Sequence, residues 1–310
     1  MKRIQYNEYG DNSVLEMADV SIPEPQPNEI LIKTSAVSVN PMDWKVRDGL
    51  MKEMLDLPFP ITPGLDIAGV VESVGDDVTD FKAGDRVISY VASYQGTYAE
   101  YAVTEAKWAT KLPDEIDFKT GAALPLAGLT ALEALDALNL MDGQRLLIQG
   151  GAGAVGTFTA QFAKARGIKV YITASPDHDD FLQQVGVDGV FDYHNIHAFD
   201  GVEPFDAVLD LVGGDSLDHA YELVKKGGVL VSTAQMPDDD EANNFGITAK
   251  FNKTEPNQKA LTEIMAAVRD RKVKTFINEQ FDFELEAVQK ALASSQGGHV
   301  SGKIIINIAE

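Results

Sequence analysis

Three glycines, Gly151, Gly153 and Gly156, stand in a G-x-G-x-x-G spacing within Arg145-Leu-Leu-Ile-Gln-Gly-Gly-Ala-Gly-Ala-Val-Gly-Thr157. Residues of this kind can hold a phosphate when an apolar strand leads in and a helix leads out. Both are present: Arg145 to Gln149 is an apolar run, and Ala154 to Arg166 is a helical stretch closed by Gly167. Gly151 permits the tight turn, Gly153 lets the backbone approach a pyrophosphate, and Gly156 lets the helix pack closely on the strand. The helix start, with Ala154 and Val155 in its first turn, presents unpaired N–H groups and the positive end of its dipole to the anion. The chemistry implied is capture of a dinucleotide's diphosphate.

The next strand ends at Ala174-Ser175, nineteen residues after Gly156. An acid there accepts hydrogen bonds from ribose hydroxyls and repels a 2′-phosphate; a serine bonds the phosphate without repelling it. NADPH is therefore expected over NADH. Asp177, Asp179 and Asp180 follow closely and oppose that preference, with His178 as the nearby source of positive charge. Asp210-Leu211-Val212-Gly213 and Ser232-Thr233-Ala234 end two further strands, where open α/β sheets place ligands, so Leu211, Val212, Ser232 and Thr233 are expected along the nicotinamide end.

The elements that must position these residues fall into two textures. To about residue 115 the chain alternates β-rich runs with Gly and Pro punctuation, at Glu29 to Val39, Ile67 to Val74, Arg86 to Tyr90 and Thr97 to Val103. From about residue 119 helices alternate with short apolar strands, at Arg145 to Gln149, Lys169 to Thr173, Gly189 to Phe191, Asp206 to Asp210 and Gly228 to Ser232. Asn257 to Asp270 is an amphipathic helix with Leu261, Ile264, Met265 and Val268 on one face. Asp238 to Glu241, followed by Asn243-Asn244, is expected as a solvated loop tip. The run Lys303 to Ile308 is β-like, and the sequence leaves open whether it joins the first texture or the second.

Composition narrows the partners. With 26 basic and 48 acidic residues the formal charge is −22, which opposes contact with nucleic acid or an anionic bilayer. No apolar run reaches membrane-spanning length, and the start lacks a secretory pattern, so a cytoplasmic protein with no membrane partner is expected. Zero cysteines exclude thiolate ligands, and none of the five histidines is in a paired ligand spacing at the motifs Ser38–Asp43 and Pro63–Val71, which argues against a catalytic zinc.

Several ordered motifs together resemble the zinc-independent medium-chain dehydrogenase/reductases, in particular the quinone oxidoreductase-like NADPH enzymes. They are Ser38-Val-Asn-Pro-Met-Asp43, Pro63-Gly-Leu-Asp-Ile-Ala-Gly-Val-Val71, Ala122-Ala-Leu-Pro-Leu-Ala-Gly-Leu-Thr130, the glycine loop and Gly302-Lys303. The resemblance implies an α/β fold: a GroES-like β domain from residues 1–118 and 268–310, and a Rossmann-type doubly wound parallel sheet from 119–267. It implies an active site in the interdomain cleft and a homodimer. Zinc-containing relatives supply a cysteine and a Gly-His-Glu motif as ligands, where this chain has Asn40 and Gly64-Leu65-Asp66.

The resemblance also implies roles. Asn40 lies near nicotinamide and substrate, with an amide N–H to donate to the oxygen where charge builds, and Thr130 contacts the nicotinamide end. Tyr193 joins Ser175 at the adenosine 2′-phosphate, and Lys303 recurs near the cleft as a cofactor contact. Trp44 and Tyr94 sit on the loops expected to shape the substrate pocket. For the proton donor, Asp43, Trp44, Tyr94 and Tyr98 all stay open. The expected reaction is hydride transfer to a quinone; the alternatives are reduction of an enone or enal double bond, or NADPH binding without turnover.

Overall fold

The computed structural model describes residues 1–92, 95–298 and 300–308. The chain divides into two compact units, one of Met1–Leu126, Glu255–Arg269 and Thr275–Glu310, the other of Ala127–Thr254 and Asp270–Lys274.

The second unit is built on six strands: β1 (Arg145–Gln149), β2 (Lys169–Ala174), β3 (Gly189–Asp192), β4 (Phe205–Asp210), β5 (Val224–Ser232) and β6 (Thr248–Phe251). Their spatial order is β3-β2-β1-β4-β5-β6, and every pairing is parallel. That order is the doubly wound Rossmann arrangement. Leu146, Leu147 and Ile148 of β1 are fully buried, as a central strand covered on both faces requires. The sixth strand was not foreseen. As an edge strand it alternates exposed with half-buried residues and so lacks the apolar run that marks its neighbours.

The acidic stretch expected as a loop tip is instead a helix, Asp239–Phe245. Asp238 caps it by accepting from the N–H groups of Asp240 and Glu241, and three acidic residues in its first turn complement the helix dipole. The acidity that suggests solvation is also a helix-start signal.

In the first unit the longest strand, Glu29–Val39, organises the sheet. It pairs antiparallel with Asp66–Val74, with Tyr101–Glu105 over its first half and with Lys303–Asn307 over its second. The chain's final β run therefore rejoins the N-terminal unit, sandwiched between Glu29–Val39 and a parallel partner, Ile277–Asp282. Ile30, Ile32, Val37, Ile67, Ile304 and Ile306 pack into one core with Val288 and Leu292 of the helix Leu285–Gly297. The strand expected from Thr97 begins only at Tyr101, because the N–H groups of Thr97 and Tyr98 both donate to Pro63 O and Tyr98 is buried in the core.

The amphipathic helix runs over Gln258–Arg269, with Leu261, Ile264 and Met265 buried. The expected boundary at residue 268 assigned it to the dinucleotide domain, whereas it packs within the first unit. Gln258 Nε2 donates to Ala109 O at 2.6 Å, and the hydroxyls of Thr262 and Thr110 lie 2.8 Å apart. Among the described residues no helix is long and apolar enough to cross a membrane.

Candidate active site

The residues expected to hold a cofactor, Lys303 apart, gather at or beside the carboxyl ends of the parallel strands. The register aligns Gln149 with Thr173 and with Asp210, Ala174 with Asp192, and Asp210 with Ser232. The loop glycines, Ser175, Tyr193, Leu211, Val212 and Thr233 all follow directly on those ends.

The three glycines of the motif serve three different contacts. A Cβ on Gly151 would sit 2.6 Å from Ile172 Cγ2, and one on Gly156 would sit 2.4 Å from Gly151 O, so both allow close packing of turn, strand and helix. Within the tight turn, the left-handed residue is Gly150, whose φ is +71° and where an added Cβ would sit 2.7 Å from Val212 Cγ2. Gly153 differs: its nearest neighbour to an added Cβ is Gly150 O at 3.9 Å, so the space beside it stays open. Gly153 is also the N-cap of the helix Ala154–Ala165 and makes no side-chain cap. The first N–H groups of that helix, including those of Ala154, Val155 and Gly156, have no intrahelical partner, as at any helix start. This cradle fits a dinucleotide diphosphate.

Around it, the strand-end Asp210 is a buried organiser. Its carboxylate accepts from the N–H groups of Val212 and Gly213 and from Ser232 Oγ at 2.7 Å; Ser232 Oγ accepts in turn from the N–H groups of Ala234 and Gln235. Leu211 N–H donates to Gln149 O and Thr233 N–H to Asp210 O, which fixes both turns. Ser175 is half-buried at the start of a single helical turn and does not cap it. Tyr193 is 55% exposed with its ring 4.0 Å from that of His194. Thr130, on the helix Pro125–Leu138, shares a hydrogen bond of 2.7 Å with Thr254.

In the first unit a second polar cluster forms around one carboxylate. Asp66 is completely buried. Its Oδ2 accepts from Ser38 Oγ at 2.5 Å, Asn40 Nδ2 at 2.9 Å and Lys303 Nζ at 3.3 Å, and its Oδ1 accepts from Leu126 N at 2.8 Å. Each of the sequence motifs outside the glycine loop thus contributes to this one group: Ser38 and Asn40 from the first, Asp66 from the second, Leu126 from the third, Lys303 from the last.

Lys303, expected at the cofactor, is turned inward. Its Nζ donates to Asn40 Oδ1 at 2.8 Å and to Val39 O at 3.4 Å besides Asp66, so its three N–H groups are already engaged. Asn40 stands at the N-cap of the helix Pro41–Arg47, and its side chain bonds both Asp66 and Lys303. Asp43 supports the cap from the other side, accepting from Asn40 N–H at 2.8 Å.

Among the proton-donor candidates, Asp43 and Tyr98 form a buried pair, with Tyr98 Oη donating to Asp43 Oδ2 at 2.8 Å. Burial raises the Asp43 carboxyl to about 7 and pushes the Tyr98 phenol well above its ordinary range. Asp43 borders a cavity of about 20 Å³, room for roughly one water and far too small for a quinone. Trp44 packs on the core of this unit with Lys45 Nζ 5.7 Å from its ring centre, and its indole N–H is buried without a partner among the described residues. Tyr94 lies outside the described residues.

The stretches that carry zinc ligands in metal-dependent relatives hold Leu65, an apolar side chain 3% exposed, and the committed amide of Asn40. Among the described residues no group of three His, Cys, Asp or Glu is arranged to hold a metal ion.

A GroES-like β unit completed by both ends of the chain, together with a Rossmann unit bearing a glycine cradle, defines the medium-chain dehydrogenase/reductase class. Comparison agrees: residues 26–114 match the alcohol dehydrogenase GroES-like domain and residues 185–306 the zinc-binding dehydrogenase domain. The chloroplast envelope quinone oxidoreductase homolog of Arabidopsis thaliana is 32% identical over 99% of this chain and 98% of that protein. The chloroplastic NADPH-dependent alkenal/one oxidoreductase of the same plant is 32% identical over 99% of this chain and 79% of that protein. The solved quinone oxidoreductase of Coxiella burnetii superposes with a TM-score of 0.92 at 32% identity, covering 99% of both chains. The chain belongs to the quinone oxidoreductase-like family of medium-chain dehydrogenase/reductases.

Proposed function

We propose that the chain is an NADPH-dependent reductase that delivers hydride to a quinone. The observation that carries this reading is the open cradle at Gly153, where the helix Ala154–Ala165 starts without a side-chain cap and an added Cβ would meet nothing nearer than Gly150 O at 3.9 Å.

NADPH supplies the hydride when bound. Ala154, Val155 and Gly156 hold its diphosphate through their N–H groups, Ser175 and Tyr193 take the adenosine 2′-phosphate, and Leu211, Val212, Ser232, Thr233 and Thr130 serve the nicotinamide end. Asn40 donates its remaining amide N–H to the acceptor oxygen on which negative charge builds. A quinone accepts hydride at an already electrophilic carbon, so orientation and one oriented donor suffice where alcohol oxidation needs a Lewis acid.

A second reading, reduction of the carbon–carbon double bond of an enone or enal, is favoured by the alkenal/one oxidoreductase among the relatives at 32% identity. NADPH oxidation measured against a panel of quinones and a panel of enones separates the two. Turnover confined to quinones supports the first; a saturated ketone product with quinones left untouched supports the second. NADPH binding with no oxidation on either panel removes both. A cytoplasmic homodimer completes the proposal, tested by cell fractionation and sedimentation of the full chain.

A further inference from the structure

An asparagine amide has ends of nearly equal size on a broad, two-fold terminal torsion, so nothing in the residue itself decides whether it offers a donor or an acceptor. At Asn40 two charged groups decide it. Lys303 Nζ sits 2.8 Å from Oδ1, and Asp66 Oδ2 sits 2.9 Å from Nδ2. Turning the amide over would set its oxygen against a carboxylate and its NH₂ against an ammonium. Lys303 and Asp66 are 3% and 0% exposed, where water screens such repulsion poorly. Nδ2 carries two N–H groups; Asp66 takes one, and among the described residues the other has no acceptor.

The backbone is held as firmly: Asn40 N–H donates to Asp43 Oδ2 at 2.8 Å, the reciprocal arm of a capping box at the start of Pro41–Arg47.

We infer that the Asp66–Lys303 ion pair is a positioning device that locks Asn40 in its donor orientation, leaving one amide N–H for the developing oxyanion of the acceptor. The inference rests on the hydride-transfer reading for its catalytic part and on the geometry alone for the orientation. Lys303→Met is the informative change, because Asp66 keeps three donors, from Ser38, Asn40 and Leu126. Lys303→Gln restores a neutral donor toward Asn40 Oδ1 and serves where the methionine variant folds poorly.

The test has two arms. In ¹⁵N-labelled protein without cofactor, the side-chain NH₂ signals of Asn40 are expected to be well separated and slow to exchange; in Lys303→Met they converge and exchange faster. Unchanged signals overturn the orientation claim even if the chain proves to reduce nothing. In steady-state kinetics with NADPH and a quinone, Lys303→Met is expected to lower kcat about 10- to 100-fold with the KM for NADPH unchanged, and Lys303→Gln to recover part of the loss. The Asn40→Ala/Lys303→Met double variant should be no slower than Asn40→Ala alone. Losses that multiply in the double variant, or a change confined to the KM for NADPH, overturn the positioning role while leaving the reductase reading intact. A wild-type chain that turns over neither panel defeats the reductase reading, and the amide signals still decide the geometry.

Discussion

Lys303 Nζ lies 3.3 Å from Asp66 Oδ2, although 237 positions separate the two in sequence and both side chains are buried. Removing one member of a buried pair strands the other, at a cost of about 3–5 kcal/mol. Asp66→Ala leaves an ammonium, a hydroxyl, an amide and a backbone N–H without their common acceptor. It is expected to reach that range in urea unfolding, and to exceed the loss from Lys303→Met, which leaves Asp66 with three donors. Equal losses would mean that the carboxylate is not the hub of the cluster.

The two ends of the glycine motif should respond differently to one added methyl group. Gly153→Ala meets nothing nearer than 3.9 Å and is expected to keep its melting temperature while losing at least about tenfold in NADPH affinity, or roughly 1.4 kcal/mol. Gly156→Ala drives a Cβ to 2.4 Å from a backbone oxygen and should lower thermal stability as well. Calorimetric titration beside a melting curve reads both. Full NADPH affinity in Gly153→Ala would place the diphosphate elsewhere.

Cofactor choice is expected to turn on Ser175, which follows β2 as Tyr193 follows β3, the register aligning Ala174 with Asp192. Ser175→Asp brings a carboxylate to the 2′-phosphate and a hydrogen-bond acceptor to the ribose of NADH. Fluorescence titration should show NADPH weakened about tenfold or more and NADH unchanged or strengthened. Equal weakening of both would assign Ser175 a structural part instead.

Asp43 makes stability depend on pH. Burial raises its carboxyl to about 7 in the folded chain, against about 4 for an unfolded aspartate. Between those values the folded protein holds the proton more tightly. Its contribution is therefore fully present below about pH 4 and is lost as pH rises through about 7. Asp43→Asn keeps an acceptor for Tyr98 and Asn40 N–H but has no proton to lose. Its melting temperature should fall less between pH 5 and pH 8 than that of the wild type, by about 2–4 °C for each kcal/mol of linkage. Parallel curves would show that Asp43 is solvated.

The glycine loop and five of the six parallel strands were legible because their signals are local: an apolar run, a glycine at a fixed offset, a helix start. The edge strand Thr248–Phe251 carries no such run, since an edge need not be apolar. Gly150 was overlooked in favour of Gly151 because the fingerprint fixes spacing and not which glycine turns left-handed. In the sequence Asp66 stands out as one residue of the Pro63–Val71 motif and as the place where a metal motif fails, not as a hub. Its role arises from groups at positions 38, 40, 126 and 303, and no local periodicity links residues so far apart. The inward turn of Lys303 was hidden for the same reason: a lysine at a strand start reads as a surface residue until its partners are known.

The position of Lys303–Asn307 inside the first unit's sheet, rather than at its rim, bears on how the protein is made. As the ribosome advances, every strand of the Rossmann unit has emerged before the strand that seals Glu29–Val39 exists. The N-terminal half must wait with a gap along its longest strand, where Ala36, Val37, Ser38 and Val39 lack their partner, while the later-synthesised half has all its strands in hand. Nascent chains halted shortly before codon 303 are thus the ones most exposed to chaperones and to aggregation.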